Sequence, residues 1–308
     1  MSETDGGAEA STQRGTTART PPSAEGAGLR VRKTYKLFVG GAFPRSESGR
    51  SYPVRGMGGA LLANAAQASR KDARDAVVAA RAALARWKGT TAYNRGQVLY
   101  RVAEMLDARR GELADAVAAG EGVGRRAARH AVEGSVDLVI WYAGLADKVA
   151  QVLGSSNPVA GPYFDFSVPE PCGVVALVAP QASSLLGLVG VLAPVVVTGN
   201  AAVVVASEER PLPAIAFSEV IATADVPAGV VNVLSGRTAE LAPVLAGHMD
   251  VDGIDLSGVE PSARGELERV AAGNVKRVFA ANHHDGPPSL RRLRAFVEIK
   301  TVWHPVGM

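Results

Sequence analysis

The amino-acid sequence predicts an α/β protein built on a doubly wound parallel sheet with flanking helices. Three observations carry that prediction. After Pro171, five short runs (173–178, 201–205, 230–234, 251–256 and 275–280) alternate with stretches of helical pattern. The first two runs, Gly173–Val178 and Ala201–Val205, carry no polar side chain, as strands covered on both faces require. The third and fourth end in Ser235-Gly236 and Ser257-Gly258, small residues suited to the turn from a strand into a helix. Connections of this kind are right-handed, and ligands of such sheets sit beyond the carboxyl ends of the strands.

Taken in order, residues 1–32 are rich in Ser, Thr, Gly, Ala and Pro. They cannot bury enough apolar surface to order themselves and read as a disordered tail. Lys36–Gly41 reads as a strand running into a glycine turn. Ser69–Trp87 reads as a helix: Ser69 can cap it, Asp72 follows three residues on, and Ala73, Ala76, Val77, Ala80 and Leu84 share one face. Further helices are expected over Asn94–Arg109, with Val98, Val102, Met105 and Leu106 on one face, and over Glu112–Ala119. Another is expected over Arg126–Val149, with Val136, Val139, Ile140 and Tyr142 inward. Tyr163–Val168 reads as a strand, and the glycine and prolines before it place a hairpin over 158–170. The helices of the alternating half run from about Leu185 to Val197, Leu212 to Ala224, Thr238 to Gly247 and Pro261 to Ala272, the last with proline in its first turn. Asp285–Pro288 reads as a linker, and Phe296–Trp303 as a half-exposed strand closing a segment over 286–308.

A chain of 308 residues with 47% hydrophobic residues can form one large domain or two smaller ones. Aromatics are only 5%, so Ala, Val and Leu must fill the interior. A net charge of +3, spread over both signs, argues against nucleic acid. Arg291, Arg292 and Arg294 read as a solvated helix face. One cysteine excludes an internal disulfide framework and a cysteine-rich zinc site, and no metal is expected. The longest apolar run, Leu185–Val197, is too short for a membrane span and is broken by Gly187, Gly190 and Pro194. With no charged-then-apolar signal pattern at the N-terminus, the reading is cytoplasmic, with no membrane partner.

Several of these segments, in order, resemble the aldehyde dehydrogenase superfamily. Lys36–Gly41 is similar to its first hairpin, Trp141–Lys148 to its long helix, and Glu170–Val175 to the lead into its first Rossmann strand. Gly199-Asn200, Ser207-Glu208 and Pro211-Leu212 follow the family's Gly-Asn-Thr…Lys-Pro-Ser-Glu…Thr-Pro-Leu run. Pro227–Val233 matches another signature, and Ile299–Trp303 resembles the family's C-terminal oligomerisation strand. The resemblance runs from about Lys33 to Asp285 and from Leu290 to Trp303. It implies a Rossmann-like, NAD- or NADP-binding domain with a small β oligomerisation extension.

The departures bear on chemistry. Where the family has a Glu-Leu-Gly-Gly-Lys run, this chain has Ala281-Asn282-His283-His284-Asp285, so Ala281 stands at the general-base position. The lobe that carries the nucleophilic cysteine is missing, and Ala182 stands at the oxyanion asparagine. Val205 stands at the ribose-binding lysine, and Glu260-Pro261 interrupts the phosphate-proximal Gly-Ser-Thr-Glu-Val-Gly run. Aldehyde oxidation by this route needs a thiolate to attack the carbonyl, donors for the oxyanion and a base for the water. No catalytic residue is therefore assigned. Cys172, at the start of a buried strand, reads as a small hydrophobe. His283 and His284 read as an exposed loop pair, and His130, His248 and His304 show no ligand spacing.

Residual cofactor-binding candidates, by the resemblance, are Pro180, Ser207, Glu208, Gly236, Ser257 and Gly258. Gly258, before a helix, is expected to offer free N–H groups to a phosphate, and Glu208 to accept from a ribose hydroxyl. Against them, Glu260 adds negative charge, Pro261 removes a donor and Val205 removes a cation, which favours a sheet kept for stability with no cofactor bound. Two functions stay open. One is a catalytically inactive assembly partner, in a homo-oligomer or with a full-length aldehyde dehydrogenase. The other is an NAD(P)-dependent oxidoreductase with residual cofactor binding.

Overall fold

The computed structural model describes residues 33–281 and 288–307. The expected tail over 1–32, the His283-His284 pair and most of the linker lie outside them.

The centre is a five-stranded parallel sheet of β6 (Val174–Val178), β7 (Ala201–Val205), β8 (Val231–Leu234), β9 (Gly253–Asp255) and β10 (Arg277–Phe279). Its spatial order is β10-β9-β6-β7-β8, so the chain winds outward from β6 in one direction, then returns to its other side. The strands stand within the predicted runs, β7 filling its run and the others trimmed by one or two residues at an end. Because side chains alternate across a strand, each strand feeds two cores. Val174, Ala176 and Val178 face the layer of α1 (Arg70–Gly89), α8 (Thr238–Gly247) and α9 (Pro261–Ala271). Val175 and Leu177 face the layer of α2 (Ala92–Ala108), α4 (Arg125–Leu145), α6 (Leu186–Val197) and α7 (Leu212–Thr223). The second layer also includes α3 (Arg110–Glu121). A doubly wound α/β architecture is thus established.

Helix α1 starts as its sequence dictates. The Ser69 side chain accepts from the backbone of Lys71 and Asp72, while the Asp72 carboxylate accepts from the Ser69 N–H at 2.8 Å. Asp72 also accepts from the Ser46 hydroxyl at 2.7 Å, tying the cap to the preceding loop.

Several expectations are corrected. Lys36–Gly41 forms only isolated bridges, Phe38 with Val233 and Val39 with Ala42. Gly40 and Gly41, both at positive φ, turn the chain back before a ladder can grow. Helix α4 ends at Leu145, and a 3-10 turn leads into the short α5 (Val149–Leu153). Ile140 points outward at 42% exposure, because the phase is set by Leu138, Val139 and Tyr142. A small sheet of β1 (Thr34–Tyr35), β3 (Leu61–Ala66) and β2 (Ser51–Arg55) escaped the sequence reading: Pro53, Gly58 and Gly59 mask its alternation.

A third sheet sits apart from the core strands. β4 (Ser155–Asn157) pairs antiparallel with β5 (Tyr163–Pro171), extending the predicted 158–170 hairpin. The strand β11 (Val297–Pro305) then pairs with β5 along its whole length, from Val297 opposite Pro171 to Pro305 opposite Tyr163. Ahead of β11, Leu290–Ala295 forms α10, which packs on α6 and β10. Among the described residues, no helix is long and apolar enough to cross a membrane.

Candidate functional site

The loops at the carboxyl ends of the five strands carry all six candidate residues: Pro180 after β6, Ser207 and Glu208 after β7, Gly236 after β8, Ser257 and Gly258 after β9. A cleft of about 610 Å³ opens there between α8 and α9. Glu208, Gly258 and Gln181 line it. Ala242, Pro243, Val259 and Leu267 add apolar lining.

The other four candidates hold the loops together. Pro180 packs against Gly187, where an added Cβ would come within 2.9 Å of its ring. The Ser207 hydroxyl donates to the Gln181 carbonyl at 2.9 Å. Gly236 packs against the Ala68 backbone, and the Ser257 hydroxyl accepts from the Ala281 N–H at 3.0 Å.

The dinucleotide implied by the resemblance can be tested on the donors that remain. The Gly258 N–H donates to the Val178 carbonyl at 3.1 Å, and the Val259 N–H to the Leu256 carbonyl at 2.9 Å. The expectation of a free Gly258 donor is thus corrected. Only glycine lets this loop pass so close to the end of β6: a Cβ there would lie 2.0 Å from the Ala179 oxygen. Pro261 supplies no N–H, and the Ala263 N–H bonds the Glu260 carbonyl. The Glu208 carboxylate, expected to meet a ribose, already accepts from the Thr238 N–H at 2.9 Å and from Arg237 at 2.5 Å. Gln181 is engaged on both ends, donating to the Ala179 carbonyl and accepting from the Glu208 N–H. Val205 is fully buried in the sheet. These residues do not fit a pyrophosphate.

The catalytic positions are equally bare. The Ala182 carbonyl accepts from Arg210, and the Ala281 N–H bonds Ser257; neither side chain has a group that can donate or abstract a proton. Cys172 lies at the amino end of the sheet. Its thiol donates to the Asn200 Oδ1 at 3.4 Å. Burial, reinforced by the negative Asp252, pushes this thiol up to about 12, against the pull of Arg277. It stays protonated at neutral pH, the reverse of an activated nucleophile. Among the described residues, no group of His, Cys, Asp and Glu is placed to hold a metal.

One polar constellation was missed. Arg292, read as part of a solvated face, is half-buried at the carboxyl end of β9, with its side chain only 10% exposed. Its Nη1 lies 2.8 Å from the Asp255 carboxylate and its Nη2 donates to Ser257 at 3.3 Å. The guanidinium lies over the Phe279 ring. Desolvation holds the Asp255 carboxyl above its ordinary range, opposed by Arg292 and by hydrogen bonds from Ser257. A lone Asp in an otherwise apolar strand was the available signal: such a carboxylate needs a partner.

The chain matches the model of the aldehyde dehydrogenase family over residues 46–281. It is 33% identical to retinal dehydrogenase 2 of Gallus gallus, over 81% of this chain and 48% of that protein. It is 30% identical to aldehyde dehydrogenase, cytosolic 1, of Elephantulus edwardii, over 79% and 49%. Among solved structures, HpcC from Thermus thermophilus superposes with a TM-score of 0.77 at 28% identity, over 80% of this chain and 48% of its own. PnpE from Pseudomonas sp. WBC-3 superposes with a TM-score of 0.76 at 27% identity, over 80% and 50%. The chain therefore spans about half the length of the curated relatives it matches.

Proposed function

Given that this chain belongs to the aldehyde dehydrogenase family, we propose that it is a non-catalytic member that acts by assembly, as the partner of a full-length aldehyde dehydrogenase or of a second copy of itself. The course of the chain between β10 and β11 carries this reading. Residues 280–296 alone join the last strand of the parallel sheet to β11. They leave no room for a lobe presenting a thiol beside the carboxyl ends of the strands, and the sole cysteine lies at the opposite end.

The β11 strand supports the assembly half of the reading. It is a nine-residue edge strand, most of it exposed, including Ile299 at 44% and Trp303 at 59%. A long open edge is a template for another strand. The Phe296 carbonyl and the Val306 N–H face the hairpin. By the alternation of an antiparallel ladder, the N–H groups of Ile299, Thr301 and Trp303 face outward.

The test is light scattering of the purified chain, alone and mixed with a full-length family member from the same source. Association is expected, and Ile299→Pro, which removes an outward donor and spares the ladder to β5, is expected to abolish it while keeping a cooperative melt. A chain monomeric under both conditions overturns assembly. NADH production from an aldehyde by the purified chain, lost in Cys172→Ala, overturns the non-catalytic half and favours the NAD(P)-dependent oxidoreductase.

A further inference from the structure

We infer that a cavity at the amino end of the parallel sheet binds a small carboxylate with an apolar body, held through Arg95. The cavity, of about 270 Å³, lies where the body of the fold meets the third sheet. Arg95 lines it from α2, Ala150 from α5, Pro169 from β5 and Val297 from β11. The Arg95 Nε donates to the Val197 carbonyl at 3.0 Å and its Nη1 to the Thr90 carbonyl at 2.5 Å. These carbonyls stand at the ends of α6 and α1 and carry only partial negative charge. Among the described residues no carboxylate pairs with Arg95. Burial lowers its pKa from the ordinary value, and no negative group opposes the shift. The guanidinium nonetheless stays charged at any working pH.

The third nitrogen of the guanidinium is open. Nη2 has no hydrogen-bond partner among the described residues, yet it keeps accessible surface, so an incoming oxygen can reach it. Gly199 leaves the group its room, since a Cβ there would come within 3.5 Å of Cζ. The charged neighbours on the wall are already matched. Glu170 meets Lys88 at 3.1 Å and Lys300 at 3.3 Å, and Asp147 meets Lys148 at 2.6 Å. Most of the remaining lining is apolar, with Ala146, Val149, Ala150, Pro169 and Val297 among it. A single uncompensated cation beside apolar walls suits one negative charge on an apolar body, and suits neither a phosphate nor an ammonium.

The experiment is a calorimetric titration of the full chain with benzoate, and with benzamide, benzylammonium and inorganic phosphate alongside. Benzoate is expected to bind, and benzamide, which lacks the charge, to bind about tenfold more weakly. Benzylammonium and phosphate are not expected to bind. Ala150→Trp, at an exposed position of α5 that lines the cavity, is expected to abolish benzoate binding without lowering the melting temperature. Arg95→Gln removes the charge and is expected to weaken benzoate about 20-fold. It also loosens the tie to α6, so Ala150→Trp decides the matter if Arg95→Gln does not melt cooperatively. The inference fails if benzoate does not bind, or if phosphate or benzylammonium binds more tightly than benzoate. It fails equally if Ala150→Trp, or a folded Arg95→Gln, binds benzoate as the native chain does.

Discussion

Replacing Arg292 by Leu is the sharpest test of how the end of this chain is held. The side chains of Arg292 and Asp255 are 10% and 2% exposed, and 2.8 Å apart. Removing one member of a buried pair leaves the other charge uncompensated, at a cost of about 3–5 kcal/mol. That is a fall in Tm of roughly 10 °C for a domain of this size. The loss depends on pH. Burial raises the Asp255 carboxyl, so its contribution to stability is fully present below the unfolded pKa and is lost as pH rises through the folded value. Arg292 opposes that shift. Without it the folded carboxyl rises further, and the deficit of Arg292→Leu is larger at pH 8 than at pH 4. Urea denaturation followed by circular dichroism measures both quantities. Asp255→Asn/Arg292→Leu, which keeps the acceptor for the Ser257 N–H and removes both charges, is expected to regain at least half of the loss. A single-variant cost below about 1 kcal/mol, flat with pH, would mean that the guanidinium and carboxylate act as a surface pair, and the buried-pair account would fall.

Three further outcomes are expected. Ser69→Ala removes the reciprocal cap of α1 and lowers stability by about 1 kcal/mol, read by urea denaturation. Cys172, raised from 9.0 to about 12, should react with iodoacetamide about 1000-fold more slowly in the folded chain than in urea, in proportion to its thiolate fraction. Because its folded value is the higher one, any stability it contributes is lost as pH climbs through that alkaline range. Val102→Ile fills an apolar void of about 30 Å³ between α2, α6 and α7 and should stabilise the fold by about 0.7 kcal/mol, seen as a higher urea midpoint.

The parallel sheet was legible because burial on both faces leaves its mark in one short window. Val174–Val178 and Ala201–Val205 admit no polar residue, and Ser69 with Asp72 announce the start of α1 within four positions. What escaped depends on partners distant in sequence. Whether the Gly258 N–H is free is decided by the Val178 carbonyl, and whether Arg292 is solvated is decided by Asp255. Ile140 falls on the exposed side because helix phase over one turn is set by its best-packed residues, and α4 has better ones. The losses at Ala182, Val205, Glu260 and Ala281 could be read from the residues themselves. That the surviving carboxylate of Glu208 is already engaged could not.

The segment from Ser289 to Val297 touches both ends of the parallel sheet. Arg292 grips β9 at the carboxyl end. Four residues later, the Phe296 carbonyl accepts from the Cys172 N–H and the Asn200 side chain at the amino end, and the Phe296 ring lies against Gly253. The strands β6, β7 and β9 are therefore strapped lengthwise by a stretch of chain that also delivers β11 to its hairpin. Such a strap makes fraying collective. Amide protons of the central strands and of β11 should exchange with solvent in a single opening event, so that whatever peels β11 away also loosens the core.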